Sequence, residues 1–537
     1  MTEISPPTKK LINQYQTWYQ SLNSKEEMPT IHVDEVASAI ASFYEKIRGI
    51  IDWKEEHLLR KSAIERILKQ TLFLSTDIKE MAESLVFELI RSGHFPNDKI
   101  EEKKIEEVKK SLEKYLFVFN QLSLNSEVCS KKIKNKIYDW LLALTACEIE
   151  EILSSSIKEL ALIEYMSESL TEKIEVWQGK IIQKKMPKEE KEIQVYIAVQ
   201  RALFKLDDNT ISYHLLTKKY PNWFNLLESQ LKEIGKNIYF IWEEINKNLH
   251  HPLAEKFYKV CEKYDTVYLI LGDIISQNPV EAEKKIKEPT LLENLIKDAY
   301  QARLKKLKGR LLRAAIYSTI SIFITKILLA LAIEIPFDKY FLGGFNKSSL
   351  LFNITIPPLL MFLLVLTIKP PSKENLNVVV METIKIIYEK EKKDNYIIKV
   401  PKKRWGFLNF LISLFYLFSF ILSFGIIIWG LKKLHFGILS IIIFLVFFSL
   451  IAFTGLKIRQ RSKELNIMEE KTGFLGFLID IFSMPFVIVG RWLSQQWSRF
   501  NIIVVLITAL IDIPFHLFVE LLENWRTFLK EKKEEIH

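Results

Sequence analysis

The chain changes character near residue 310, where a polar, charge-dense sequence gives way to long apolar runs. A helix needs roughly 20 mostly apolar residues to cross the hydrocarbon core of a bilayer. Four runs meet this requirement, and two further runs are weaker candidates. The runs are 314–333, 350–368, 407–430 and 435–456, followed by the weaker 474–490 and 501–521. We therefore predict an all-α chain whose second half is a polytopic membrane domain with four to six transmembrane helices.

Charge is distributed unevenly between the two halves. The chain has 75 Lys and Arg against 65 Asp and Glu, a net charge of +10. Residues 1–310 hold 48 residues of each sign, so the whole excess lies in 311–537. A positive-inside bias on membrane loops produces this distribution, whereas a nucleic-acid module carries a basic patch on its soluble part. We therefore expect the lipid bilayer as a partner of the second half, and no nucleic acid.

The first half has the periodicity of helices. Apolar residues recur at helical spacing almost throughout 1–310, and only six glycines occur there. Asn278 and Pro279 precede two glutamates, which is typical of a helix start with Asn as cap and Pro in the first turn. The predicted organisation is a polar segment at 1–30, a cytoplasmic all-helical domain at 31–310 with a candidate sub-boundary at 183–192, a membrane domain at 311–525 and a charged tail at 526–537.

Loop charges predict the orientation. The first ten residues lack the apolar core of a secretory signal, so we expect the helical domain to stay in the cytoplasm. The loop 369–405 carries ten basic residues and 457–471 carries five, whereas 334–349 carries only two. Basic loops remain inside. The predicted location is the cell membrane (plasma or inner), multi-pass, with both termini cytoplasmic.

Tryptophans flank several apolar runs, where indole rings favour the half-wet interface. The predicted interface anchors are Trp405, Trp429, Trp492, Trp497 and Trp525. Between the second and third runs, the segment 374–393 has one apolar helical face with lysines beside it. Such a helix either lies on the inner leaflet or packs onto the soluble domain.

The last two runs resemble each other. Leu-Ile-Asp-Ile occurs at 478–481 and again at 510–513, and each copy is followed by a proline. Proline-interrupted segments in matching positions indicate a substrate site in some transporters; the alternative is a pair of short interfacial helices with their acids in water. Candidate helix breaks in the apolar runs are Pro357, Pro358, Pro485 and Pro514.

Ionisable residues inside apolar runs indicate function or pairing. Lys326 lies just beyond the centre of the first run, and Asp480 and Asp512 lie in the last two. If 501–521 spans the membrane, Asp512 lies within about 5 Å of Lys326 in depth by helix rise. The hypothesis is a buried Lys326–Asp512 pair, with Asp480 deeper in the inner leaflet.

Motifs for chemistry are missing from the sequence. It contains no HExxH, CxxC, GxSxG, GxxxxGK or GxGxxG, each of which would indicate a metal, nucleophile or phosphate site. Three scattered cysteines are more typical of core positions than of a disulfide framework. We therefore expect no catalytic residue, metal or cofactor, and predict a non-enzymatic scaffold whose cytoplasmic domain recruits a protein partner at the membrane. The alternative is a small transporter or channel subunit, which would function as a homo-oligomer.

Overall fold

The structure is a computed structural model. It describes residues 4–23, 29–33, 56–71, 77–124, 130–177, 186–341, 347–366, 371–388, 396–399, 406–468 and 474–499, with single positions in the C-terminal segment. The described chain is almost wholly helical and divides into two compact units. Unit 1 contains the residues up to Pro289 together with 385–400, and unit 2 contains 290–384 together with the apolar helices that follow residue 401. The predicted all-α class is confirmed.

Unit 1 is a bundle of amphipathic helices. In chain order they are α1 (Pro6–Asn23), α2 (Glu56–Thr71), α3 (Ile78–Arg91), α4 (Lys103–Leu124), α5 (Lys131–Leu153), α6 (Ile157–Lys173), α7 (Lys188–Phe204), α8 (Asp208–Lys219), α9 (Glu228–Leu249), α10 (Ala254–Gln277) and α11 (Pro279–Ile286). Side-chain caps begin several of them, because the first amides of a helix have no partner inside it. The Asn278 side chain accepts from the Glu281 amide with Pro279 in the first turn, as the sequence predicts.

The core of unit 1 lies between paired helices. α7 packs against α10 and α6, and α5 packs against α2 and α4. Buried aromatic residues also join α6 to α10, where Tyr165 and Tyr268 meet edge to face with ring centroids 5.6 Å apart. Edge-to-face geometry is a favourable one for aromatic pairs. Apolar burial on one face of each helix therefore holds the bundle together.

Two short parallel strands also belong to unit 1. β1 (Ile174–Trp177) follows α6, and β2 (Tyr396–Lys399) comes from the polar segment between two apolar helices. Ile174 pairs with Tyr396, and the register continues to Trp177 opposite Lys399. The chain therefore returns to unit 1 after entering the apolar helices. A second contact lies a few residues before β2, where the Ser5 amide donates to the Ile387 carbonyl at 3.1 Å.

Unit 2 contains the apolar helices. They are α12 (Pro289–Leu329), continued by a π-helical segment (Ala330–Glu334) and α13 (Ile335–Phe341), then α14 (Lys347–Leu366), α15 (Lys373–Tyr388, whose last turn lies in unit 1), α16 (Gly406–Lys433), α17 (Ile438–Ser462) and α18 (Phe474–Arg499). Three described stretches are long and apolar enough to cross a membrane, namely Pro289–Phe337, Gly406–Lys433 and Ile438–Ser462. A shorter apolar helix covers Leu350–Leu366. The run 501–521, except Leu521, lies outside the described residues.

The described prolines do not end their helices. α14 continues through Pro357 and Pro358, and α18 continues through Pro485. The helices therefore do not end at these three positions, and helix breaks there stay a prediction. A proline removes one helical hydrogen bond, and in apolar surroundings the neighbouring turns keep theirs because no water competes for them. Pro514 lies outside the part of the chain that the structure describes.

α15 corresponds to the predicted amphipathic segment. Val379, Val380 and Ile387 on its apolar face are buried within the protein. Its first turn is held by Asn375, whose side-chain amide donates to the Leu465 carbonyl at 2.6 Å and to the Tyr300 hydroxyl at 3.0 Å. Burial of the apolar face favours packing onto protein over lying on a leaflet.

Candidate functional site

A polar cluster lies inside the apolar helices of unit 2. Lys326 is near the end of α12, Glu334 closes the π-helical segment and Asn353 is in α14. Their exposed fractions are 0%, 1% and 0%. Ionisable residues at such positions are costly to bury and are therefore candidates for function.

The contacts inside this cluster leave polar atoms unsatisfied. The Asn353 side-chain amide donates to Glu334 Oε1. Lys326 Nζ lies 5.0 Å from the centroid of the Phe447 ring, within the range of a cation–π interaction. Among the described residues, Lys326 Nζ, Glu334 Oε2 and Asn353 Oδ1 find no hydrogen-bond partner. Buried polar groups are normally satisfied, so three such atoms in one cluster require an explanation.

The π-helical segment is part of this cluster. Ala330–Glu334 follows directly on α12, only four residues beyond Lys326. π-helical turns are rare, occur often at functional sites and change the direction in which the following side chains face. Here the segment delivers Glu334 to a buried position opposite Asn353 on α14.

Of the two acids predicted in the last apolar runs, the structure describes Asp480. Asp480 in α18 is half-exposed and pairs with Arg459 in α17, with Nη1 and Oδ1 3.2 Å apart. The structure therefore does not join Asp480 to Lys326. Asp512 lies outside the described residues, so the Lys326–Asp512 pair stays a prediction.

The described tryptophan anchors are exposed, which suits an interfacial position. Trp429 is 61% exposed and has Lys433 Nζ 4.1 Å from its ring centroid. Trp492 and Trp525 are also exposed. Trp405 lies outside the described residues, and the structure describes only the backbone at Trp497.

Glu334 was not among the predicted site residues, because the first apolar run ends at residue 333. A carboxylate directly after an apolar run is normally assigned to the loop. The signal that could have identified it is the acid four residues before Asp338, within a stretch that still has apolar helical spacing. Arg459 was missed for the same reason, since basic residues after a run are assigned to the inner loop.

The described thiols of unit 1 are not arranged as nucleophiles. Burial raises the pKa of Cys147 to about 12 and also raises that of Cys261. A protonated thiol is a poor nucleophile, so both behave as small core residues. No group of three or more His, Cys, Asp or Glu side chains in the described residues is placed to hold a metal ion.

No family model matches the chain, and neither a curated protein nor a solved structure is significantly similar to it.

Proposed function

We propose that this chain is an integral-membrane scaffold whose N-terminal unit holds a protein partner at the bilayer. The observation that carries the proposal is the return of residues 385–399 to unit 1, where β2 pairs with β1. Because the chain passes from unit 1 to the apolar helices and back, unit 1 is attached to them by more than one connection. A domain held in this way suits presentation of a surface at the membrane.

The same strand pair supports a specific membrane arrangement. Strands that pair lie on one side of a bilayer, so an even number of crossings separates β1 from β2. Two apolar stretches lie between them, Pro289–Phe337 and α14. The 20 residues of α14 extend about 30 Å at 1.5 Å per residue, which matches the hydrocarbon core. We therefore propose that α14 spans the membrane, that the chain has four to six spans in total, and that both termini are in the cytoplasm.

Topology reporters test this arrangement. Reporter fusions after residues 300, 385, 465 and 537 should be cytoplasmic, and a fusion after 345 should be external. The control is a fusion after 385 in a chain that lacks α14, whose reporter should change sides. An external reporter after 385 in the complete chain would contradict the arrangement.

Exposed apolar side chains mark the surface proposed for the partner. Phe224 and Leu227 lie at the start of α9, and Phe240 lies on α9 itself, with exposed fractions of 49%, 67% and 59%. The Phe240 ring also meets that of Tyr239, at 5.4 Å between centroids. Phe224 and Leu227 are neighbours at one end of α9, and neighbouring exposed apolar residues indicate an interaction site more strongly than scattered ones.

Photo-crosslinking of the complete chain in its native membrane tests this surface. A photoreactive residue at Leu227 or Phe240 should give a discrete adduct with a second protein, whereas one at the exposed Lys188 should not. Phe240→Ser should weaken recovery of that protein without changing membrane insertion. Equal adducts at all three positions would show that α9 is no specific surface.

A second function, a transporter or channel element, is favoured by the cluster of Lys326, Glu334 and Asn353. Polar groups buried in apolar helices line ion paths in membrane proteins. Four to six spans are few for a complete path, so this function requires a homo-oligomer. Proton and potassium fluxes into liposomes reconstituted with the chain provide the test. Lys326→Met and Glu334→Gln should each change the flux, and an absence of flux above that of empty liposomes would remove this candidate.

A further inference from the structure

Unit 1 contains a cavity that the scaffold function does not use. Its volume is about 270 Å³, close to the lower end of the range for small-molecule sites. The walls come from α2, the end of α5, the turn before α6, and α8. Leu160, Ile163, Phe204 and Leu206 supply apolar lining.

The cationic side chains of this cavity are already matched by acids. Arg60 donates twice to Glu150 Oε1, from Nε at 2.9 Å and from Nη2 at 2.7 Å. Lys61 pairs with Asp207, which also accepts from the Thr210 hydroxyl at 2.6 Å. These pairs use most of the positive charge that lines the cavity.

Two histidines line the cavity, and the more buried one, His214, carries no charge near neutral pH. Burial lowers the pKa of His214 to about 4. Its Nδ1 atom is 2.6 Å from Gln200 Oε1, which fixes the ring.

Two carboxylates of the cavity are left with little positive charge beside them. Glu151 accepts from the Ser156 hydroxyl at 3.1 Å, which supplies a dipole and no charge. Glu159 has Lys158 at 3.7 Å and feels the charge of Arg60, which is itself paired with Glu150; its Oε2 atom is buried without a hydrogen-bond partner in the described residues. Burial raises the pKa of both carboxyls. A positive charge entering the cavity would therefore be stabilised by both.

We propose that this cavity binds a small aliphatic amine. The protonated nitrogen donates to Glu151 and Glu159, and the Ser154–Ser156 turn supplies hydroxyl acceptors beside them. The alkyl part lies against Leu160, Ile163, Phe204 and Leu206. The combination of carboxylates and apolar side chains in one lining matches an amine on a short carbon chain, since each part of the ligand meets side chains of its own kind.

Calorimetry on the full chain in detergent tests the proposal with four probes of similar length. 1,4-Diaminobutane and 1-aminobutane should bind, whereas 1,4-butanediol and succinate should not. Comparable heats from the diol would show that the cavity selects for size alone. Binding of succinate in preference to the amines, or an absence of binding by either amine, would overturn the proposal.

Charge-neutral variants locate the binding. Glu151→Gln and Glu159→Gln should each weaken amine binding by about tenfold or more, because a charge-assisted hydrogen bond is lost. Glu243→Gln is the matched control, since Glu243 is exposed on α9 and does not line the cavity. Amine binding that is equal in all three variants would place the amine elsewhere.

A steric variant keeps the test decisive if a glutamine variant fails to fold. Ser155 is exposed at the cavity wall, so Ser155→Phe places a ring there without changing charge. It should weaken binding of both amines while far-UV circular dichroism stays unchanged. Full-strength amine binding by Ser155→Phe would contradict the proposed location.

Discussion

Individual buried charges of unit 1 are compensated to very different degrees. Glu148 is 1% exposed and receives three donors: Lys114 Nζ at 2.5 Å, the Tyr115 hydroxyl at 3.1 Å and Trp223 Nε1 at 2.8 Å. Asp265 is as deeply placed, but in the described part of the chain its partners are Lys205 at 3.7 Å, the adjacent Thr266 hydroxyl at 3.1 Å and the Thr266 amide. A buried charge costs several kcal/mol unless its partners are well placed. Glu148 therefore supports the fold, and Asp265 weakens it when ionised.

We expect the stability of unit 1 to depend on pH through Asp265. Burial raises the pKa of its carboxyl to about 7, from 3.8 in an unfolded chain. Between these values the folded state binds the extra proton, so stability falls as pH rises from about 4 to 7 and stays low above 7. The full effect is at most about 4 kcal/mol.

Asp265→Asn removes this dependence. The variant should gain in melting temperature over the wild type at pH 8 and gain little at pH 4, measured by scanning fluorimetry of the full chain. Glu243→Gln on the surface of α9 serves as the control at both pH values. A variant that is equally destabilised at pH 4 and pH 8 would show that Asp265 is held as a charged partner of Lys205.

Removing one hydrogen-bond donor to Glu148 should destabilise unit 1, the opposite of the effect expected for Asp265→Asn at pH 8. Tyr115→Phe deletes the hydroxyl while keeping the ring, and a hydrogen bond to a charged group contributes about 1.5–3 kcal/mol. The full chain should therefore melt several degrees lower. Tyr138→Phe on the exposed side of α5 is the matched control and should be neutral. Equal melting temperatures for the two variants would mean that Lys114 and Trp223 satisfy Glu148 alone.

At the scale of secondary structure, the helices could be predicted from local sequence signals. Elements that depend on contacts between distant residues could not. The Asn278–Pro279 start was predictable because capping depends on adjacent residues. The β1–β2 pair was not, because each strand has four residues and the strands are more than 200 residues apart in sequence. Lys326 was predictable as a site residue from its apolar surroundings, whereas Glu334 depended on a π-helical segment that no periodicity indicates.

Close approach of α17 and α18 depends on a glycine. A Cβ atom added at Gly490 would lie 2.0 Å from the Ser449 carbonyl oxygen and 2.8 Å from Phe453 Cβ. Small residues let membrane helices approach in this way, and their interfaces lack a hydrophobic driving force in lipid. The contact therefore tolerates no side chain unless the two backbones move apart.

Gly490→Ala should lower the detergent melting temperature of the full chain, at a cost of about 1–3 kcal/mol from overpacking. Gly425→Ala in α16 is the control, because an added Cβ there meets nothing within 4 Å. Alanine favours a helix over glycine by about 1 kcal/mol, so the control should be neutral or stabilising. A neutral Gly490→Ala would show that α17 and α18 are not packed at this point.

For the whole molecule, the return of the chain to unit 1 has the largest consequence. It makes the polar segment between two apolar helices part of the N-terminal fold, since β2 and the last turn of α15 both contact unit 1 residues. The basic residues of 369–405 favour the cytoplasmic side on independent grounds. Charge and strand pairing thus favour the same arrangement.

An engineered disulfide tests the return directly. Glu175 in β1 is opposite Ile397 in β2, and both are exposed. Neighbouring strands lie about 4.8 Å apart, within the Cα separation that a disulfide spans. The Glu175→Cys/Ile397→Cys chain, oxidised in native membranes, should therefore form an intramolecular link, identified by peptide mass spectrometry.

Glu175→Cys/Lys399→Cys is the matched control on the same face, displaced by two residues to about 8 Å, and should link poorly. Efficient linking of the displaced pair alone would correct the register, and disulfide-linked dimers would place β2 against β1 of a second copy.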